Sequence, residues 1–121
     1  MNLDIQPFVD EDVSIEVVEN RIIISGNIEY TDPTINLDPY FNKIHESALK
    51  NKTEQLIIDL TNLNYINSSG ITIFVKWIIN LQQLPDNEKY SMQFICNPDQ
   101  KWQKQSITML AKTAPKIISI A

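Results

Sequence analysis

A short polar stretch, Asn67-Ser68-Ser69-Gly70, stands between an apolar run typical of a strand and an apolar run typical of a helix. Two adjacent hydroxyls at the first turn of a helix allow two kinds of chemistry. A serine can cap the helix by accepting a backbone hydrogen bond, or it can accept a phosphoryl group from a kinase. A helix start also attracts anions, because its first backbone N–H groups have no partner within the helix. The stretch is therefore a candidate cap, phosphorylation site or anion site.

The flanking sequence predicts the elements that position these hydroxyls. Leu56 to Leu60 is a short run rich in isoleucine, which is typical of a buried parallel strand. The turn-forming residues within 61–64 predict a loop after this strand. A helix over Ile71 to Leu84 follows and ends before Pro85. Gly70, without a Cβ, would let another backbone approach the helix start closely.

The predicted helix has two apolar stripes, which is more than a surface helix needs. The stripe expected to face the sheet consists of Ile71, Phe74, Val75, Ile78 and Leu81. The second stripe consists of Ile73, Trp77 and Leu84. This second stripe is a candidate partner interface, and the alternative that Trp77 packs within the same chain is equally open.

Helices and strands alternate along most of the chain. Two strand-like runs are joined at Glu19-Asn20, which predicts an N-terminal hairpin. The predicted elements are strands Val13 to Val18 and Arg21 to Gly26, a loop and helix within Tyr30 to Lys52, strand Ser91 to Cys96, helix Lys101 to Lys112 and strand Lys116 to Ile120. We therefore expect one α/β domain over residues 1–121, with helices packed on a mixed sheet.

This pattern resembles the STAS domain, the fold of the anti-sigma-factor antagonists. The resemblance lies in the isoleucine-rich strand ending in Asp59-Leu60, the segment Tyr65-Ile66-Asn67-Ser68-Ser69-Gly70-Ile71 and the apolar helix after it. It implies a STAS-like sheet and a phosphoserine switch, with Ser68 as the phosphoacceptor. It also implies two partner enzymes, a serine kinase of the anti-sigma-factor type and a phosphatase of the PP2C type.

One residue departs from the common antagonist pattern, which has Asp where this chain has Asn67. Asn keeps the shape of Asp and removes its charge, so a phosphate on Ser68 would meet no carboxylate at that position. The Asn-hydroxyl-Ser version is similar to a STAS subgroup found in bacterial biofilm and surface-signalling switches. The target protein then need not be a sigma-factor regulator, and the sequence does not identify it.

Composition and charge exclude several classes of function. The net charge of −5 argues against nucleic acid, whose binding needs clustered Lys and Arg. No apolar run is long enough for a membrane span, and the N-terminus lacks a signal pattern. The single cysteine, Cys96, is expected to be a buried thiol in a reducing compartment. We therefore expect a cytoplasmic protein with no membrane partner.

The residues for ordinary catalytic sites are missing. One histidine, His45, and one cysteine cannot form a usual zinc site, and we expect His45 at the surface or as a cap. Two glycines cannot form a P-loop or a dinucleotide fingerprint. We therefore expect no catalytic residue, metal or cofactor. Asp59 is expected either to cap the loop after its strand or to shape the surface around Ser68.

Three functions remain open at this stage. The first is a non-catalytic module whose partner binding is switched by phosphorylation of Ser68, with Asn67, Ser69 and Gly70 around the site. The second is a constitutive interaction module, a homodimer included, in which Ser68 is only a cap. The third is a binder of small anionic ligands at the same helix start.

Overall fold

A computed structural model of the chain describes Leu3 and residues 5–121, apart from the side chains of Pro33, Thr34 and Asn36. The strands are β1 (Phe8–Val9), β2 (Val13–Val18), β3 (Arg21–Ile28), β4 (Gln55–Ile66), β5 (Ser91–Ile95) and β6 (Ile118–Ile120). The helices are α1 (Pro33–Lys50), α2 (Ser68–Gln82) and α3 (Lys101–Thr113). The α/β class with a mixed sheet is confirmed, and this architecture is compatible with a STAS-like fold.

The six strands form one sheet in which the spatial order follows the chain order. The pairs β1–β2 and β2–β3 are antiparallel, and β3 to β6 run parallel to one another. Each parallel connection contains one α-helix, with a short 3-10 helix (Asp86–Glu88) after α2, and steps in the same direction across the sheet. Right-handed crossovers therefore place all three helices on one face. The core lies between this face and the helices, and Ile22, Ile58 and Phe94 are fully buried there.

The predicted hairpin is confirmed. Strands β2 and β3 pair from Val18↔Arg21 to Val13↔Gly26, and Glu19 takes the left-handed conformation at φ 56° in the turn. At the other end of the pair, Gly26 has a φ of 95°, and the Asn27 N–H donates to the Asp12 carbonyl at 2.8 Å. This contact continues the β2–β3 pairing by one residue, and the positive φ of Gly26 coincides with the irregularity in the β3–β4 register between Gly26 and Asn27.

Strand β4 is much longer than the sequence predicts. The residues expected to form a loop continue the strand to Ile66, because β3 pairs with them up to Ile28↔Ile66. Two irregularities in register allow this pairing, and Leu63 and Ile66 become buried. Burial of apolar side chains against a long partner strand outweighs the turn preference of the asparagines between them. The extension carries the start of α2 to the far end of β3.

Helix α1 begins at Pro33, within the segment Tyr30 to Lys52 that the sequence predicts as a loop and helix, and contains Pro39 in its interior. The segment before β1 lies along α1, because the Tyr40 hydroxyl donates to the Gln6 carbonyl at 2.8 Å. The sequence did not predict the short strand β1. Among the described residues, no helix combines the length and apolar character that a membrane span requires.

Candidate functional site

Ser68 is the first residue of α2, and its side chain is exposed. The helix begins three residues earlier than predicted, so Ser68 and Ser69 both lie inside its first turn. Ser69 is half-buried, and its carbonyl accepts a hydrogen bond from the Thr72 hydroxyl at 2.5 Å. Within the part of the chain that the structure describes, the Ser68 hydroxyl has no hydrogen-bond partner. Of the two serines, Ser68 is the more accessible to another protein.

Asn67 is the N-cap of α2. Its Oδ1 accepts from the Gly70 N–H at 2.8 Å, and its backbone has the extended conformation usual for a cap. Its Nδ2 donates to the Tyr30 carbonyl at 3.1 Å, and its backbone N–H donates to the Ile28 carbonyl at 2.9 Å. An aspartate could make the cap but could not donate to Tyr30. This contact explains why asparagine suits this position.

Gly70 allows the helix start to pack tightly on the ends of β3 and β4. A Cβ at this position would lie 2.6 Å from Ile66 Cγ1 and 2.8 Å from Ile28 Cγ2. The close neighbours are thus side chains, whereas the sequence led us to expect a backbone. The glycine and the Asn67 cap together fix the position of Ser68 relative to the sheet.

The loops beside the helix start are acidic. The Tyr30 hydroxyl donates to the Asp10 carboxylate, and this hydrogen bond lowers the pKa of Asp10. Glu11, Asp12 and Glu29 on the same loops are exposed. Because Tyr30 also contacts Asn67, these carboxylates belong to the same end of the molecule as Ser68. A phosphate on Ser68 would add to a negative surface, although no carboxylate occupies position 67 itself.

Asp59 does not belong to the surroundings of Ser68. It lies inside β4 rather than at its end, seven residues before Ile66, which is about 20 Å at about 3.3 Å per strand residue. Its carboxylate accepts from Arg21 Nη1 at 3.1 Å and from the N–H and hydroxyl of Thr61 at 3.0 and 2.6 Å. These contacts give Asp59 a structural role, but not as the predicted loop cap, because Thr61 lies within β4 and only Arg21 links β4 to β3.

The stripe of Ile73, Trp77 and Leu84 is not an exposed interface. Ile73 and Trp77 are both 3% exposed, and Leu84 is half-buried against the core. The ring of Trp77 packs 5.3 Å from that of Phe41 on α1. The alternative of packing within the same chain is therefore the observed one, because α1 covers this side of α2.

The expectation for His45 is wrong. It is half-buried on α1, and its Nδ1 lies 2.6 Å from the Tyr90 hydroxyl, which also accepts from Trp77 Nε1 at 2.5 Å. Burial lowers the pKa of His45. The spacing of Phe41, His45 and Ala48 at intervals of four and three was the signal that places His45 on the apolar side of α1.

The exposed face of α2 runs directly from Ser68. At 100° per residue, Ser68, Thr72, Val75 and Ile79 lie within about 60° of one another around the axis. Val75 is 37% exposed and Ile79 45% exposed, so the expectation that Val75 faces the sheet is wrong. Tyr65, two residues before the cap, is also exposed. We call Ser68, Thr72, Val75 and Ile79 the α2 face.

The structure also gives the surroundings of the other candidate groups. Among the described residues, no cluster of three or more His, Cys, Asp and Glu side chains is placed to hold a metal ion. Cys96 is half-buried rather than buried, and burial raises the pKa of its thiol. A raised thiol pKa is the opposite of what a cysteine nucleophile needs.

Comparison with models of known protein families finds no match, and no curated protein is similar to this chain. The STAS resemblance therefore stands on the sequence pattern and on the α/β architecture alone.

The cap geometry predicts a large loss of stability for one substitution and a small change for its neighbour. Asn67→Ala is expected to lower the free energy of unfolding by about 1–3 kcal/mol, because it removes the cap and the hydrogen bond to Tyr30. Ser68→Ala is expected to change it by less than about 0.5 kcal/mol. Urea denaturation followed by circular dichroism measures both. A large loss in Ser68→Ala with none in Asn67→Ala would contradict the assignment of the cap.

Proposed function

We propose that this chain is a non-catalytic, STAS-like signalling module whose binding to a partner protein is switched by reversible phosphorylation of Ser68. The observation that carries the proposal is the exposed Ser68 hydroxyl, which is freed from capping because Asn67 caps the helix. A kinase needs an accessible hydroxyl whose modification leaves the fold intact. Ser68 meets both requirements, whereas Ser69 is half-buried.

The α2 face is the surface on which the partner docks. Val75 and Ile79 are exposed apolar side chains on the same side of the helix as Ser68. A partner that covers them also covers the Ser68 hydroxyl. Phosphorylation adds about −1.5 to −2 charges at the edge of this apolar surface. Burying that charge against an apolar or acidic partner is unfavourable, so phosphorylation releases such a partner.

The fold tolerates both states of Ser68. The start of α2 is positive because of the helix dipole, which stabilises a nearby anion by about 0.3–1 kcal/mol. The acidic loops around Tyr30 oppose this effect. The two influences act on the stability of the phosphoprotein in opposite directions, so the main effect of the phosphate falls on partner binding.

Three partners follow from the proposal. By resemblance to the STAS family, a serine kinase of the anti-sigma-factor type and a phosphatase of the PP2C type modify Ser68, and a target protein docks on the α2 face. The kinase supplies the ATP site and the catalytic base. This chain supplies the acceptor hydroxyl and the docking surface, and it requires no cofactor. All of these partners point to a cytoplasmic role.

An anion site at the same helix start is the weaker interpretation. The Gly70 N–H already donates to Asn67, so only two of the first backbone N–H groups of α2 remain for a ligand. The constitutive interaction module was based on an exposed stripe of Ile73, Trp77 and Leu84. Ile73 and Trp77 are buried, so this stripe does not support it.

The first experiment maps the phosphate. Protein isolated from its native host with phosphatase inhibitors, or co-expressed with its cognate kinase, is analysed by intact-mass and fragment spectra. We expect one phosphate on Ser68, and none in Ser68→Ala. Ser69→Ala is the matched control and is expected to remain a substrate. Phosphate on Ser69 alone, or none in the presence of an active cognate kinase, would refute the proposal.

The second experiment first identifies the target by pull-down from the native host with the unphosphorylated wild type and Ser68→Asp as baits, and then tests the docking face with that target. Ser68→Asp and a Val75→Ser/Ile79→Ser double variant are each expected to weaken binding at least tenfold, about 1.4 kcal/mol or more. Met109→Ser, which changes a more exposed apolar residue on α3, is the control and is expected to bind normally. Binding that depends on Met109 but not on Val75 and Ile79 would place the interface elsewhere.

A further inference from the structure

A second surface lies away from Ser68, between α3 and the carboxyl ends of β5 and β6. It is an open groove of about 920 Å³. Lys101, Lys104 and Lys112 line it together with the apolar side chains of Met109 and Ile120. Met109 is 69% exposed, which is unusual for a large apolar side chain. Neither Ser68 nor the rest of the α2 face contributes to this groove.

The charge of the groove is opposite to that of the rest of the protein. No acidic residue is among those that line it. Residues 100–121 contain four lysines and no Asp or Glu, whereas the other residues carry six basic and all fifteen acidic side chains, a net charge of −9 within the chain's total of −5. A basic groove on an acidic protein selects an occupant that is locally acidic.

The groove runs beside a sheet edge that has an open side. Strand β6 is last in the strand order and pairs only with β5 among the described strands. The Met92 N–H donates to the Ile117 carbonyl, and the Ala121 N–H donates to the Phe94 carbonyl. Residues 117, 119 and 121 thus turn their backbone groups towards β5. The backbone N–H and carbonyl of Ile120 therefore point to the open side.

We infer that this groove binds an extended acidic segment of a partner protein, which adds to the sheet beside β6 while its carboxylates face the lysines of α3. The backbone groups of Ile120 provide hydrogen bonds for a strand, and the lysines select its sequence. Met109 is a flexible apolar side chain that adapts to the residues between the carboxylates. The open backbone groups of Ile120 pair with a peptide backbone, which nucleic acid lacks, so a peptide is the anionic occupant that fits best.

This inference is independent of the proposed function. It uses a different helix and a different sheet edge, so the failure of one leaves the other standing. Ser68→Asp is expected to bind the acidic segment as the wild type does.

The test uses a fluorescein-labelled short peptide of alternating Glu and Val, with binding measured by fluorescence anisotropy at low and high salt. We expect binding that weakens as salt rises. Lys104→Gln/Lys112→Gln is expected to raise Kd about threefold to thirtyfold, because two partly exposed ion pairs are lost. The control Lys43→Gln/Lys50→Gln removes the same charge from exposed lysines of α1 and is expected to leave Kd unchanged.

Two further peptides separate strand addition from simple charge attraction. A peptide of alternating Lys and Val is expected not to bind. The acidic peptide with an N-methyl group on every backbone amide keeps its charge but loses all of its backbone donors, and it is expected to bind much more weakly. The inference would be overturned if the methylated peptide bound as tightly as the unmethylated one. It would also be overturned if Lys43→Gln/Lys50→Gln raised Kd as much as Lys104→Gln/Lys112→Gln does.

Other occupants would give different results. Vesicles of phosphatidylserine and phosphatidylcholine that bind the protein through Lys104 and Lys112, without any binding of the acidic peptide, would assign the groove to a membrane surface. A dimer in sedimentation velocity that is lost in Lys104→Gln/Lys112→Gln would assign it to the acidic end of a second copy. Each of these outcomes would overturn the inference of an acidic partner segment.

Discussion

Trp77→Ala is expected to lower the free energy of unfolding by about 3–5 kcal/mol. The indole is 3% exposed and lies between α1 and α2, 5.3 Å from the ring of Phe41. Its removal leaves a cavity between the two helices. It also removes the Nε1–H that donates to the Tyr90 hydroxyl, which contacts His45. Urea denaturation followed by far-ultraviolet circular dichroism is the measurement, because the substitution removes one of the two tryptophan fluorophores.

Two controls separate packing from hydrogen bonding. Trp77→Phe keeps an aromatic ring beside Phe41 and loses the donor, so it is expected to cost less than Trp77→Ala. Ile79→Ala, on the exposed side of the same helix, is expected to cost less than either, because its side chain is 45% exposed. A Trp77→Ala variant that is as stable as the wild type but no longer binds its partner would contradict the buried position of Trp77. That result would restore the stripe of Ile73, Trp77 and Leu84 as an interface.

Gly26→Ala is expected to lower the free energy of unfolding by about 2–4 kcal/mol. Two costs contribute: the left-handed backbone at φ 95°, and a Cβ placed 2.2 Å from the Asp12 carbonyl oxygen. The neighbouring group is backbone, which cannot move aside as a flexible side chain can. The Asp12 carbonyl must shift, and its hydrogen bond with the Asn27 N–H weakens.

Ser25→Ala provides the matched control for this prediction. Ser25 precedes Gly26 on the same strand, is half-buried and has no positive φ, so its replacement is expected to cost less than about 1 kcal/mol. Thermal and urea unfolding of both variants gives the comparison. Equal stability of Gly26→Ala and Ser25→Ala would show that the β1–β2 loop moves aside at little cost. The close approach of the Asp12 carbonyl to Gly26 would then not constrain the fold.

The local sequence pattern was sufficient to predict an element where buried and exposed residues recur regularly along it. The hairpin at Glu19-Asn20, the parallel strand beginning near Leu56 and the helix after Ser68 were all predictable from apolar spacing and turn residues. These elements bury their apolar residues against the nearest neighbours in the sheet order. The α/β class followed from their alternation.

Local pattern failed where a distant segment decides the outcome. The residues 61–64 have turn preference, yet pairing with the far end of β3 holds them in β4. Trp77 is apolar and suits either an interface or a core, and only the position of α1 decides between them. His45 is polar, but the hydroxyl of Tyr90, 45 residues away, gives it a buried partner. Such contacts depend on tertiary structure and leave little trace in a short window of sequence.

The candidate site was partly predictable. Three adjacent residues could have capped α2, and the sequence did not distinguish among them. The Tyr30 carbonyl makes the difference, because it accepts from the Asn67 amide and so holds Asn67 in the capping position. The position of Asp59 was misjudged for a related reason, since the strand end was placed too early in the chain.

The agreement between strand order and chain order has a consequence for biosynthesis. A chain that emerges from the ribosome can add each strand beside the one made before it, and no strand has to enter between two that are already paired. A parallel strand can pair only after the helix that connects it to the previous strand has been synthesised. The sheet therefore ends temporarily at β3, then at β4 and then at β5. At each of these stages the newest strand is an uncovered edge. Two unfinished chains can pair at that edge, and the exposed edge moves from β3 to β5 as synthesis proceeds.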